Sequence, residues 1–269
     1  MKTDLSNSQI DAFNEDGFIV IEDFLNVGEL ENWRATLAES LAIRGGNKLP
    51  DRKSVGTLDD DESYYDTVFT QRLNLWMDNP NMRDLILDPE IGRMVCDLGG
   101  IDGVRCWHDQ ALIKPAWGNP TAWHLDTPFW SFFDKNAISI WVALDDATLQ
   151  NGCLYFMPGS HKETTYENPG ITQEFNSIFN HYPQFRDVMP TSAPMKAGSC
   201  SFHNGLAVHS AGANITPYDR RAMTCAFMPD GSTFNGQQNI LSDKQVAALK
   251  VGDLLNNEDQ NPLVYSRNS

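Results

Sequence analysis

Apolar residues in the first hundred positions recur mainly at helical spacing. Ile10 and Phe13 follow Ser8, a capping residue type, and precede Gly17, which predicts a short helix closed by glycine. Phe18 to Ile21 is an unbroken apolar run of strand length. Behind Asn26, another capping type, Leu30, Trp33, Leu37 and Leu41 repeat every three or four residues and stop before Gly45-Gly46. That stripe is a helix with one face on a core. Residues 45–63 are polar and end in the acidic run Asp59-Asp60-Asp61-Glu62, which predicts a loop or lid. Two further helices are expected over 64–78 and 88–98.

From about residue 103 the period changes. Val, Ile, Phe and Trp gather in short segments at 104–114, 122–130, 137–143, 153–157, 198–203, 206–210 and 221–228, broken by Gly, Pro and Asn. Many short strands with such punctuation predict an antiparallel sandwich or barrel. A helical insert is expected near 171–187, and Ser242 with Gln245 reads as a capping box for a helix through Leu249. The expected organisation is one domain that is mainly β with flanking helices. It has a mostly helical flank over 1–100, a β core over 103–230 and a C-terminal extension over 231–269.

Charge and cysteine usage narrow the partners. The net charge of −16 disfavours a nucleic acid, whose phosphates need clustered Lys and Arg. The five cysteines (Cys96, Cys106, Cys153, Cys200 and Cys225) are odd in number, widely spread and without a CxxC pair, which fits a reducing, cytoplasmic setting. The first residues lack an apolar leader and no apolar run reaches membrane-spanning length, so no membrane partner is expected.

Candidate chemistry centres on His124 and Asp126, in Trp-His-Leu-Asp. On a strand, residues two apart share a face, so an imidazole and a carboxylate there can grip one divalent ion. HxD alone arises often by chance. Downstream, however, His209 ends a predicted strand in Val-His-Ser-Ala-Gly, and Arg220 opens the next, Arg-Arg-Ala-Met-Thr-Cys-Ala-Phe. His209 as third ligand completes the two-histidine, one-carboxylate triad suited to non-haem Fe(II). Arg220, with its planar fork, can clamp the distal carboxylate of a 2-oxo acid bound to that metal. His203 is the alternative third ligand, and Arg221 the alternative clamp, although alternation turns Arg221 outward if Arg220 faces in. His108, His161 and His181 are not expected to bind metal, and His161 reads as part of a turn.

His124-x-Asp126, the run Asn151-Gly152-Cys153-Leu154-Tyr155-Phe156-Met157-Pro158-Gly159-Ser160-His161, then His209 and Arg220, with Asp16-Gly17-Phe18-Ile19-Val20 near the start, resemble the phytanoyl-CoA dioxygenase family over roughly residues 8–230. The resemblance implies a double-stranded β-helix (jelly-roll) core, with Fe(II), 2-oxoglutarate as cosubstrate and O2. It carries the metal triad onto His124, Asp126 and His209, the cosubstrate arginine onto Arg220, and further 2-oxoglutarate contacts onto Gln110 and Trp141. Ala211 departs from the family, many of whose members have a hydroxyl there. The carboxylate of Asp126 implies oxygenation rather than halogenation. The implied reaction hydroxylates or otherwise oxidises a C–H bond of a small-molecule metabolite, releasing succinate and CO2.

The substrate is less legible. Trp107, Trp117, Trp123, Phe129, Trp130, Phe132 and Phe133 are either core or the lining of a substrate mouth. Gln71, Arg72 and Asn74 are either polar pocket groups or a solvated helix face. No basic cluster for a CoA pyrophosphate is evident, which favours a metabolite without CoA. A non-catalytic jelly roll that senses a metal or a carboxylate is the alternative of a different class. A zinc hydrolase on the same ligands would have no use for Arg220. The oligomeric state stays open.

Overall fold

Two antiparallel sheets face each other in a computed structural model that describes residues 1–51, 67–167, 170 and 174–268. The strands are β1 (Phe18–Ile21), β2 (Thr70–Leu73), β3 (Gly103–Lys114), β4 (Thr121–His124), β5 (Ile138–Ala143), β6 (Leu154–Phe156), β7 (Thr191–Ala193), β8 (Cys200–Asn204), β9 (His209–Ala211), β10 (Arg220–Pro229) and β11 (Leu263–Ser266). The larger sheet runs β1-β8-β5-β10-β3-β11, with β2 also paired to β3; the smaller runs β4-β9-β6-β7. This is the jelly-roll architecture that the strand pattern and the resemblance imply. No helix among the described residues is long and apolar enough to cross a membrane.

Period-2 alternation assigns the faces of the larger sheet. On β10, Met223, Cys225 and Phe227 join the core with Trp33, Leu37, Ile91, Met94, Val95 and Leu98. Those partners come from the helices α2 (Val27–Arg44) and α4 (Pro89–Gly99), which cover the outer face. The intervening Ala222, Thr224 and Ala226 face the smaller sheet, and Arg220 is in phase with them. Between α2 and α4 lies the short helix α3 (Pro80–Ile86), capped by Asn79.

Several elements differ from expectation. The first helix, α1 (Asn7–Asp16), is capped by Ser6 rather than Ser8, because Gln9 three residues on reaches back to the Ser6 N–H. Within 64–78, Thr70–Leu73 is a strand and Leu75–Met77 a 3-10 turn; pairing with the edge of β3 overrides the helical spacing. Residues 64–66, 52–63 of the expected loop and 171–173 of the expected insert lie outside the described residues. The rest of the insert holds one short helix, Ile178–His181, and a 3-10 turn, Pro183–Phe185. The capping box at Ser242 and Gln245 is formed and starts the helix Asp243–Ala248.

Both flanks contribute strands to the larger sheet: β1 and β2 from the first hundred residues, and β11 from the extension. The extension is tied down by the largely buried Arg105, whose guanidinium donates to Asp230 (2.5 Å), Glu258 (2.6 Å) and the Asn261 carbonyl (2.9 Å). β2 is tied to α2 by Arg44, which donates to Asp78 and to the carbonyls of Lys48, Leu73 and Asn74.

Candidate active site

A cavity of ≈ 200 Å³ lies between the sheets, lined from the larger one by Gln71, His108, Gln110, Trp141, His203 and Arg220 and from the smaller by His124 and His209. His124 ends β4 and His209 begins β9, and antiparallel pairing sets them opposite each other, ring centroids 4.1 Å apart. Their rings are held alike. His124 Nδ1 lies 2.8 Å from the Ala122 carbonyl and His209 Nδ1 2.9 Å from the Ala207 carbonyl. A carbonyl only accepts, so each Nδ1 carries the proton and each Nε2 keeps its lone pair. Both Nε2 atoms stand 3.7 Å from Asp126 Oδ1.

Asp126 reaches this point by a route that strand alternation does not provide. β4 stops at His124, and the backbone N–H groups of Asp126 and Thr127 both donate to the Gly205 carbonyl, at 3.0 and 2.9 Å. The chain then turns through the 3-10 segment Thr127–Phe129. The second carboxylate oxygen, Oδ2, accepts from Ser139 Oγ and His203 Nε2, each at 3.2 Å. His203 therefore supports the carboxylate from behind, and Oδ1 is left for a ligand. His124, Asp126 and His209 form the one cluster with metal-ligand spacing among the described residues, their donor atoms within 4.8 Å of one another.

The electrostatics suit a divalent ion. Burial, then the neighbouring His124, hold the His209 imidazole down to about 3, and burial also lowers His124. Both are neutral ligands at pH 7. Burial alone would raise the Asp126 carboxyl, but His209, His203 and His124 outweigh it and hold the group well below the usual carboxylate range. Two imidazole lone pairs and one carboxylate are the donor set that non-haem iron takes.

Arg220 lies at the other end. It is buried beside Lys114 of β3, and its Nε and Nη1 have no hydrogen-bond partner. Burial lowers it to about 10, so it stays a cation at neutral pH. Its guanidinium carbon stands 5.0 Å from the Trp141 ring centroid. A buried cation without a hydrogen-bonded anion is costly, and such a group calls for a carboxylate. Arg221 points outward and is satisfied by Asp145, at 2.8 and 2.7 Å. Gln110 and Trp141 flank Thr224 on adjacent strands, and Gln110 accepts from Gln71. Ala211 also lines the cavity, with Thr121 opposite it.

Of the remaining sequence candidates, Gln71 lines the cavity, Arg72 reaches the Gly45 carbonyl and Asn74 is buried at the turn after β2. Phe129 and Trp130 line the cavity, Trp107 and Phe132 pack together in the core, and Trp117 is exposed. Trp123 packs on Phe175 and Phe179, and Phe133 on Tyr166. His161 packs against Gly17, where any Cβ would meet its ring. Sequence motifs do not point to Ser139, His108, Lys48 or Asn239 as residues of the site, yet the fold brings all four to it. The first two carry a readable signal: Ser139 is in phase with Trp141, and His108 with Gln110.

Residues 13–222 match the family model described as phytanoyl-CoA dioxygenase (PhyH). The chain belongs to the phytanoyl-CoA dioxygenase family. Membership places it among the non-haem iron- and 2-oxoglutarate-dependent dioxygenases. A phytanoyl-CoA dioxygenase domain-containing protein 1 homolog of Caenorhabditis briggsae is 23% identical over 273 residues, covering 87% of this chain and 94% of its own. The methylphosphonate hydroxylase of Gimesia maris is 26% identical over 226 residues, covering 83% and 80%. The solved structure of the non-heme alpha ketoglutarate dependent carbocyclase SnoK, from nogalamycin biosynthesis, has a TM-score of 0.78 at 24% identity, over 97% of this chain and 96% of that one. That last likeness shows the family's jelly-roll fold.

Proposed function

We propose that His124, Asp126 and His209 hold Fe(II), and that Arg220, stacked on Trp141 with Gln110 nearby, holds 2-oxoglutarate while a C–H bond of a small metabolite is hydroxylated or otherwise oxidised. The observation that carries the reading is the pairing of a three-donor metal cluster with a buried guanidinium whose Nε and Nη1 lack partners in one cavity. When bound, the iron and 2-oxoglutarate supply the oxidising power: dioxygen is consumed, succinate and CO2 leave, and one oxygen atom is available for the substrate.

The chain's own residues supply position. The Nδ1–carbonyl bonds of His124 and His209 lock both rings with Nε2 presented. Ser139 and His203 hold Asp126 by Oδ2, so its Oδ1 cannot rotate away. Arg220 fixes a carboxylate by charge and fork, and the face of the Trp141 ring, 5.0 Å from the guanidinium carbon, helps hold the cation in place. The apolar side chains of Leu112 and Leu154 line the same cavity and keep water off that carboxylate. The carboxylate of Asp126 favours oxygenation over halogenation. Five free, buried cysteines support a reducing cytoplasmic setting.

The test is anaerobic addition of Fe(II) and 2-oxoglutarate to metal-free protein, followed by air. A weak visible charge-transfer band and then succinate are expected. A band without succinate under a broad metabolite screen would favour a sensor; the absence of both would overturn the assignment.

A further inference from the structure

Along β3 the inward side chains run Lys114, Leu112, Gln110, His108. Arg220 pairs with the first and Thr224 with Gln110, so this row starts at the carboxylate clamp. It ends on the rung His108–Ala226–Ser139–His203, which crosses four strands. Ser139 and His203 on that rung are the two residues that hold Asp126. His108 thus stands level with the metal cluster, on the far side from the clamp. Ala226, one methyl group, is all that fills the sheet between it and Ser139. Phe129 and Trp130 wall the same part of the cavity, and Trp130 meets the His108 ring edge-on at 6.1 Å.

The state of that ring follows from its burial. His108 is 3% exposed, and its Nδ1 is sealed in without a hydrogen-bond partner. Burial also lowers its basicity to about 4, so the ring is neutral. A sealed lone pair costs less than a sealed N–H, so the proton belongs on Nε2, the nitrogen left to face the cavity. The cavity wall beside the iron site therefore offers an N–H next to the aromatic rings of Phe129 and Trp130.

We propose that His108 is a substrate-positioning and specificity-determining residue. Its Nε2–H donates to an oxygen acceptor (carbonyl, hydroxyl or acid oxygen) on a compact substrate whose apolar body packs on Phe129 and Trp130. The proposal rests on the iron and 2-oxoglutarate reading of the neighbouring cluster. Its consequence is selective. A site built to hydrogen-bond an oxygen discriminates against the analogue that lacks it far more strongly than a pocket discriminates by size.

Two measurements test it. Histidine 15N NMR of Zn(II)-loaded protein, with the His108 signal assigned by its loss in His108→Phe, should report a neutral ring protonated at Nε2; protonation at Nδ1 or on both nitrogens would overturn the proposal. Anaerobic Fe(II)- and 2-oxoglutarate-loaded protein is then titrated with cyclohexanone, cyclohexanol and cyclohexanecarboxylate against methylcyclohexane, reading the charge-transfer band and calorimetric heat. At least one oxygen-bearing probe should bind ten-fold or more tighter than the hydrocarbon. His108→Phe should remove that preference, leave 2-oxoglutarate affinity within two-fold, and yield to partial rescue in His108→Gln. The three oxygen probes separate a ketone, an alcohol and an acid as the acceptor. No preference, or a preference that His108→Phe keeps, counts against the assignment. A missing charge-transfer band would sink the iron reading instead, and the NMR result stands apart from it.

Discussion

Arg220 lies over the indole of Trp141, 5.0 Å from the ring centroid, with the guanidinium Nε and Nη1 unpartnered in the protein interior. Such a group serves ligand binding at the expense of stability. Arg220→Met is expected to raise the thermal midpoint of the ligand-free protein, by about 2–4 °C for each kcal/mol recovered. The same change should weaken 2-oxoglutarate binding at least about 30-fold, the lower end for truncating a buried hydrogen-bonded charge pair. Calorimetric Kd values and melting curves for the two proteins check both halves. A variant that loses stability and keeps its cosubstrate affinity would show that the guanidinium is structural.

His203 and Ser139 grip one oxygen of Asp126 and leave the other for a ligand. Removing a group that orients a metal ligand typically costs about 10–100-fold in metal affinity. His203→Ala should therefore bind Fe(II) or Mn(II) more weakly by about that factor and still bind it, whereas Asp126→Ala should lose turnover altogether. Metal titration separates the cases; equal losses in both variants would make His203 a ligand in its own right.

Gly205 accepts the N–H groups of Asp126 and Thr127, and a Cβ placed on it would lie 2.1 Å from Thr127 Oγ1. The turn that carries Asp126 is thus pressed against bare backbone. Gly205→Ala should destabilise the protein by about 1–3 kcal/mol, as overpacking does, and weaken metal binding because Asp126 moves with Thr127. Denaturant melts with a parallel metal titration test this; unchanged metal affinity would show that the turn yields without shifting the carboxylate.

Lys114 is wholly buried, its amine donating to the Asn119 (2.6 Å) and Val68 (3.3 Å) carbonyls. Burial, assisted by the neighbouring Arg220, lowers it from the usual 10.5 to about 7. Between those values the folded chain binds fewer protons than the unfolded one, so this group's contribution to stability rises with pH from about 7 to 10.5. Below pH 7 the full cost of the buried cation is present. Lys114→Met should flatten that part of the stability–pH profile relative to the wild type, as measured by urea midpoints across the window. Parallel curves for the two proteins would contradict the shift.

Legibility followed the reach of each signal. Local ones read well: the capping box at Ser242, the helix behind Asn26 and the alternation that separates Arg220 from Arg221 are set by residues a few positions apart. The two-residue spacing places Asp126 and His124 on one strand, but that strand stops at His124, because the turn depends on the carbonyl of the distant Gly205. β2 carries helical spacing and becomes a strand only because the edge of β3 is there to receive it. His203 could be read as a rival ligand since spacing does not show which ring nitrogen meets which carboxylate oxygen. Asn239 and Lys48 carry no motif; they join the cavity through the packing of the two flanks.

The two ends of the cavity have unlike origins. The carboxylate clamp and the metal support sit on central strands, whereas Lys48 and Asn239 come from a connecting segment and from the extension that Arg105 moors to the sheet edge. Evolution can therefore recut the substrate wall by insertion, drift or exchange of those peripheral segments without disturbing the oxidising machinery. A lineage built this way would diversify its chemistry from the rim inward, with the tail of the chain among the first places to diverge.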